Sequence, residues 1–182
     1  MNHSDCDGEY TPEEAKLLLE ELKKIEHGLK KVKYPVARYL GADGVELCCR
    51  AKYSSYGTFV YGNGFDFGVA EGGLVVESRD PRRLPVVPDE KYIDIIGEEK
   101  YRWYFTAMEC AGENTWVAKR RDGHSVVIEG LYTTAPEGCA RIEAGEISAY
   151  EVFKYTIDVL KKACEESIAT GEPIVYWSTT TS

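Results

Sequence analysis

The chain has 182 residues, 43% hydrophobic and 29% charged, with a formal net charge of −9. That composition suits one globular domain with a sizeable core and excludes a disordered polymer. The acidic balance disfavours nucleic acid, whose phosphates need a basic surface, and no apolar run reaches the roughly 20 residues that span a bilayer.

The opening stretch "MNHSDCDGEY" is polar and acidic, without the basic start and apolar centre of a signal peptide. The expectation is a cytoplasmic protein with a flexible tail over residues 1–10 and a single domain over 11–182. Thr11-Pro12-Glu13-Glu14 is a capping box with proline at the first helical position. Apolar residues at Ala15, Leu18, Leu19, Leu22, Ile25, Leu29 and Val32 follow as one helical stripe, expected to lie on a sheet.

Strands are predicted at Glu46–Tyr53, Thr58–Tyr61 and Tyr101–Met108, with a hairpin at Gly72-Gly73. The last run alternates an aromatic face (Tyr101, Trp103, Phe105) with a mixed face (Arg102, Tyr104, Thr106, Met108). Pro81, Pro85 and Pro88 make the segment between an extended loop. Arg82 and Arg83 read as solvated loop charges. In "TWVAKRRDGHSVVIEGLY", Asp122-Gly123 signals a two-residue type I′ turn. That register sets Trp116 opposite Glu129 and puts a carboxylate on a largely apolar face.

The stretch "APEGCARIEAGEISAYEVF" reads as a turn, a strand, a second turn at Gly145 and a capped helix. Ser148 and Glu151 form a capping box, and Ile147 can staple onto Val152. Phe153, Ile157, Leu160, Cys164 and Ile168 form the stripe, expected to face the sheet. Gly171 is the left-handed cap and Pro173 stops the helix. "PIVYW" is a short terminal strand. The order gives an α+β fold: an antiparallel meander of about seven to eight strands covered by an N-terminal and a long C-terminal helix.

No Walker sequence, strand–GxGxxG–helix or G-x-S-x-G elbow occurs, and "YGNGFDFG" is a turn rather than a phosphate loop. His3, His27 and His124 are too far apart in sequence to suggest a metal site, and no C-x-x-C is present. No metal or cofactor is expected. The six cysteines read as reduced thiols, since the chain has no secretory signal.

Residues 125–177 resemble the second half of gyrase-inhibitor-like (GyrI-like) small-molecule-binding domains. The likeness rests on "VVIEGLYTTAPEGCARIEAG", the amphipathic helix and "PIVYW". It implies an amphipathic or aromatic cation held between two symmetric βαββ halves, with Tyr176 as the tyrosine of the terminal strand. The family's glutamate before that tyrosine is Val175 here, so Glu129 becomes the candidate carboxylate. A helix-grip fold fits the order of elements equally well. The ligand-binding candidates are Trp116, Glu129, Arg102, Tyr104 and Tyr176. They point to a non-enzymatic small-molecule-binding or sensing domain with an aromatic-lined cleft. The alternatives are a protein-interaction or inhibitor module acting through the acidic surface, and a small acid–base enzyme using Glu129, Tyr104 or Arg102.

Overall fold

The computed structural model describes residues 8–51, 58–62 and 64–176. His3, Cys6, Asn63, Trp177 and all of "KYSSYG" lie outside the described residues. The elements in chain order are β1 (Gly8–Tyr10), α1 (Pro12–Leu29), β2 (Lys33–Gly41), β3 (Glu46–Ala51), β4 (Thr58–Gly62), β5 (Phe65–Ala70) and β6 (Gly73–Ser78). There follow β7 (Glu90–Ile93), β8 (Glu99–Phe105), β9 (Ala107–Gly112), β10 (Thr115–Lys119), β11 (Ser125–Glu129), β12 (Cys139–Ser148), α2 (Ala149–Thr170) and β13 (Ile174–Tyr176). Residues 34–147 form one compact unit, and the chain before and after them forms another.

In the helical unit, α1 begins as its sequence requires. The Glu14 amide donates to Thr11 Oγ1 at 3.2 Å, and the Thr11 amide donates to Glu14 Oε2 at 3.0 Å. At α2 only half of the expected box forms, the Glu151 amide donating to Ser148 Oγ at 3.4 Å. Gly171 closes α2 in the left-handed region at φ 73°. The two helical stripes meet each other: Ala15, Leu22 and Cys164 form a buried cluster, flanked by Leu18, Leu19, Ile168 and Ile174. Lys161 and Lys30 both pair with Glu26, at 2.9 and 3.2 Å. Phe153 and Leu160, expected to face a sheet, are 40% and 41% exposed. The stripe is therefore narrower than the periodicity implied, because a partner helix covers less width than a sheet. β1 and β13 pair antiparallel beside the helices, with Gly8 opposite Tyr176.

The β unit departs from a single meander. It holds a six-stranded sheet in the order β11-β10-β9-β12-β2-β3 and a five-stranded sheet in the order β4-β5-β6-β8-β7. Every described register is antiparallel. Phe65, Phe67, Leu74, Val76, Trp103 and Phe105 of one sheet share a core with Ala37, Tyr39, Met108, Trp116, Ala118, Val126, Ile128 and Ile142 of the other. Alternation along each strand explains this, since a half-buried strand presents every second residue to the core. The run 101–108, expected as one strand, breaks at Thr106 and passes from the five-stranded to the six-stranded sheet. The Thr106 amide donates to the Lys119 carbonyl, and its own carbonyl accepts from the Ala144 amide.

Gly145 lies inside β12 and makes no turn. A Cβ there would stand 2.8 Å from Arg38 Nε, so the glycine permits a close approach of side chain to strand. The sheet hairpin near residue 72 turns on Glu71-Gly72, with Ala70 paired to Gly73.

Candidate functional site

The β10–β11 hairpin decides which predicted residues can meet. Its loop has three residues, not two. The Gly123 amide donates to the Arg120 carbonyl at 3.1 Å, and the Arg120 amide donates to the His124 carbonyl at 2.8 Å. Gly123 takes φ 90°, which is the type I turn followed by a glycine bulge. Lys119 therefore pairs with Ser125, Ala118 with Val126 and Trp116 with Ile128, while Glu129 pairs with Thr115. A one-residue change of register turns every side chain of a strand to the other face. Trp116, Ala118, Val126 and Ile128 are buried; Glu129 is exposed, on the side of exposed Val127. The expected Trp116–Glu129 pair does not exist.

Trp116 nevertheless lines a cleft. An open cleft of about 360 Å³ is walled by Ala135, Pro136 and Cys139 from the start of that stretch, by Tyr132, Thr133 and Thr134 before it, and by Cys110, Gly112 and Asn114 at the β9–β10 turn. None of the described lining side chains is charged. Trp116 is 4% exposed and its Nε1–H, fully buried, has no hydrogen-bond partner among the described residues. An unsatisfied buried donor costs roughly 1–3 kcal/mol.

The walls are held under backbone strain. Among the described residues only Asn114 (φ 48°) and Thr134 (φ 51°) are non-glycine residues with positive φ, and both line this cleft. Asparagine tolerates that region, but a β-branched threonine there is a genuine outlier. Thr134 is clamped. Arg50 of β3 donates from Nη1 to Thr134 Oγ1, which in turn donates to the Thr133 carbonyl at 2.7 Å. The Arg50 guanidinium stacks 5.0 Å from the centroid of Tyr39, whose hydroxyl also donates to the Thr133 carbonyl at 3.4 Å. Burial pushes the Tyr39 phenol up to about 12. The other end of the wall is tied by the Leu131 amide to the Asn114 carbonyl at 2.9 Å. Burial also raises the Cys139 thiol, which keeps it protonated at neutral pH.

The remaining predicted residues lie elsewhere. Arg102 and Tyr104 stand together on the outer face of the five-stranded sheet, away from the Trp116 side of the core. Arg102 holds the 2%-exposed Glu77 through Nη2 at 2.6 Å and Nε at 2.8 Å. Tyr92 donates to the same carboxylate at 2.5 Å, and Tyr104 donates to Glu90 at 3.0 Å. Burial, then the bond to Glu77, raises the Tyr92 phenol. Tyr176 pairs with Gly8 in the helical unit, its ring 5.5 Å from that of Tyr10. Among the predicted site residues, the cleft therefore gathers only Trp116.

Arg50, Asn114, Thr133 and Thr134 were missed by sequence reasoning. "ENT" carries the local signal of an asparagine turn, but nothing in the pattern relates Arg50 to Thr134, 84 residues away. Groups of three or more ligating side chains able to hold a metal ion are absent among the described residues. None of the described helices is long and apolar enough to cross a membrane. Comparison with family models, curated proteins and solved structures gives no match for this chain.

Proposed function

We propose that the chain is a small-molecule-binding domain, taking an uncharged aromatic or amphipathic ligand into the Trp116 cleft. The observation that carries this reading is the convergence of both strained non-glycine residues, Asn114 and Thr134, on the walls of one cleft. Strain of about 1–3 kcal/mol per residue persists where the surroundings over-determine it, and such residues cluster at ligand clamps. The cleft's volume lies within the range of about 300–1,000 Å³ typical of small-molecule sites. The indole offers an apolar face, and the Thr133 hydroxyl and the Asn114 side chain offer polar groups to fix orientation. The lack of charge among the described lining residues favours a neutral ligand over the cationic one that Glu129 would have recruited. The GyrI-like resemblance implies an aromatic or amphipathic ligand too, but a cationic one, and the cleft walls, uncharged among the described residues, depart from it in that respect.

The test is a screen of neutral aromatic fragments, indole and phenol among them, read by the Trp116 indole N–H resonance in ¹⁵N-labelled protein. Binding fragments should move that resonance together with the Thr133 and Thr134 amides. Trp116→Ala should abolish the thermal stabilisation they confer, which is about 2.7 kcal/mol at 100 times the dissociation constant. Fragments that bind without moving the Thr133–Thr134 amides, or that stabilise Trp116→Ala as well as wild type, would sink the reading.

A further inference from the structure

We propose a second site, independent of the Trp116 cleft: a pocket for a small zwitterion, with an ammonium and a carboxylate a few bonds apart as in an amino acid. A cavity of about 340 Å³ in the β unit is lined by Asp89, Glu90, Tyr104, Arg120, Arg121 and Asp122. Most of its charges are already matched. Arg120 donates to Asp89 at 3.1 Å and to the Val87 carbonyl at 3.3 Å. Asp89 also accepts from the Tyr104 amide at 2.8 Å. Asp122 accepts from the His124 amide at 2.9 Å and stands 3.1 Å from His124 Nδ1.

Two groups remain open, and they have opposite charge. Arg121 packs its guanidinium 4.8 Å from the Tyr104 ring centroid and reaches no carboxylate among the described residues. Glu90 uses only Oε2, towards the Tyr104 hydroxyl at 3.0 Å and Arg102 at 3.6 Å; its Oε1 accepts from no described residue, and its side chain is 50% exposed. The two flank one tyrosine, the cation over its ring and the carboxylate at its hydroxyl. That brings them within reach of the two ends of one small molecule.

The Tyr104 scaffold is rigid. Arg102 lies 5.0 Å from the Tyr92 centroid and 5.9 Å from that of Tyr104, so Tyr92, Arg102, Tyr104 and Arg121 form one stack over the sheet. Glu77 fixes Arg102 from below. Preorganised groups lose little freedom on binding. A plain anion at Arg121 meets the field of Glu90 and Asp122, and a plain cation at Glu90 meets that of Arg121. A molecule carrying both charges avoids each repulsion, and the planar guanidinium suits a carboxylate through paired N–H donors.

The experiment is calorimetric titration of the full chain at low salt with L-alanine and 4-aminobutanoate, with acetate and methylammonium as single-charge controls. At least one zwitterion should bind tenfold or more tightly than either control. Arg121→Gln and Glu90→Gln, both at exposed side chains, should each weaken it tenfold or more while far-UV circular dichroism stays unchanged. Trp116→Phe should leave this binding intact, which separates the site from the cleft. Acetate binding as tightly as the zwitterions with Glu90→Gln silent would make this a plain anion site and overturn the proposal. No heat from either zwitterion up to about 10 mM, weaker than the millimolar range in which a useful small-ligand site works, would overturn it too.

Discussion

Replacing Arg102 by leucine tests how the outer face of the five-stranded sheet is held. Glu77 is 2% exposed, and Arg102 contacts its carboxylate at 2.6 and 2.8 Å. Removing one partner of a buried pair costs about 3–5 kcal/mol, since the other charge is left without compensation. Tyr92 remains at 2.5 Å and Lys100 stands 3.9 Å away. A hydrogen bond to a charged group is worth about 1.5–3 kcal/mol, so the expected loss lies near the lower end, about 3 kcal/mol. Glu77→Leu should cost less, because Arg102 is 18% exposed, donates to Tyr104 at 3.2 Å and stands 3.6 Å from Glu90. The double variant should lose about 2 kcal/mol less than the sum of the two single losses. The assay is urea unfolding of the four proteins at neutral pH, in low and high salt; a buried pair is screened little. A second readout is the Tyr92 phenol, which should titrate lower in Glu77→Leu, by absorbance at alkaline pH. A loss below about 1 kcal/mol in Arg102→Leu, or strict additivity in the cycle, would refute the reasoning.

Tyr39 predicts a pH dependence. Its unfolded-state pKa is near 10, and in the fold burial raises it to about 12. Below about pH 10 its stabilising contribution is complete, and it is lost as pH rises towards 12, because the unfolded state ionises first. Tyr39→Phe should therefore flatten the alkaline limb of stability between pH 10 and about 12, at the cost of about 1 kcal/mol at neutral pH for the lost hydrogen bond. In the helical unit, Leu22→Ala, at a site 5% exposed, should cost about 2–5 kcal/mol. Leu160→Ala, at 41% exposure, should cost under about 1 kcal/mol; equal melting shifts for the two would contradict the helix pairing. Glu129→Gln should change neither stability nor fragment binding in the cleft, and a loss of binding there would return the carboxylate to the site.

Local chemistry determined the helices. Thr11 with Glu14 and Gly171 with Pro173 mark ends that backbone hydrogen bonding demands wherever a helix lies, so both helices are legible without a partner. Alternation likewise assigned the two faces of Tyr101–Phe105 correctly. What covers each face is a different matter. The break at Thr106 that sends β8 and β9 into different sheets also resets the alternation, so Met108, which period two puts on the face of Arg102 and Tyr104, lies in the core with Trp103 and Phe105. The hairpin shows the limit most sharply. Asp122-Gly123 is compatible with a two-residue turn and with a three-residue turn closed by a glycine bulge, because glycine meets the positive φ of both. The choice between them moves Glu129 from the face of Trp116 to the opposite one. Burial of Trp116, Ala118, Val126 and Ile128 together on one face settles the register, and that depends on the second sheet supplying the other half of the core. The cleft itself follows from contacts remote in sequence. Arg50 can hold Thr134 in its left-handed conformation only after β3 and the segment leading into β12 have been brought together by the six-stranded sheet.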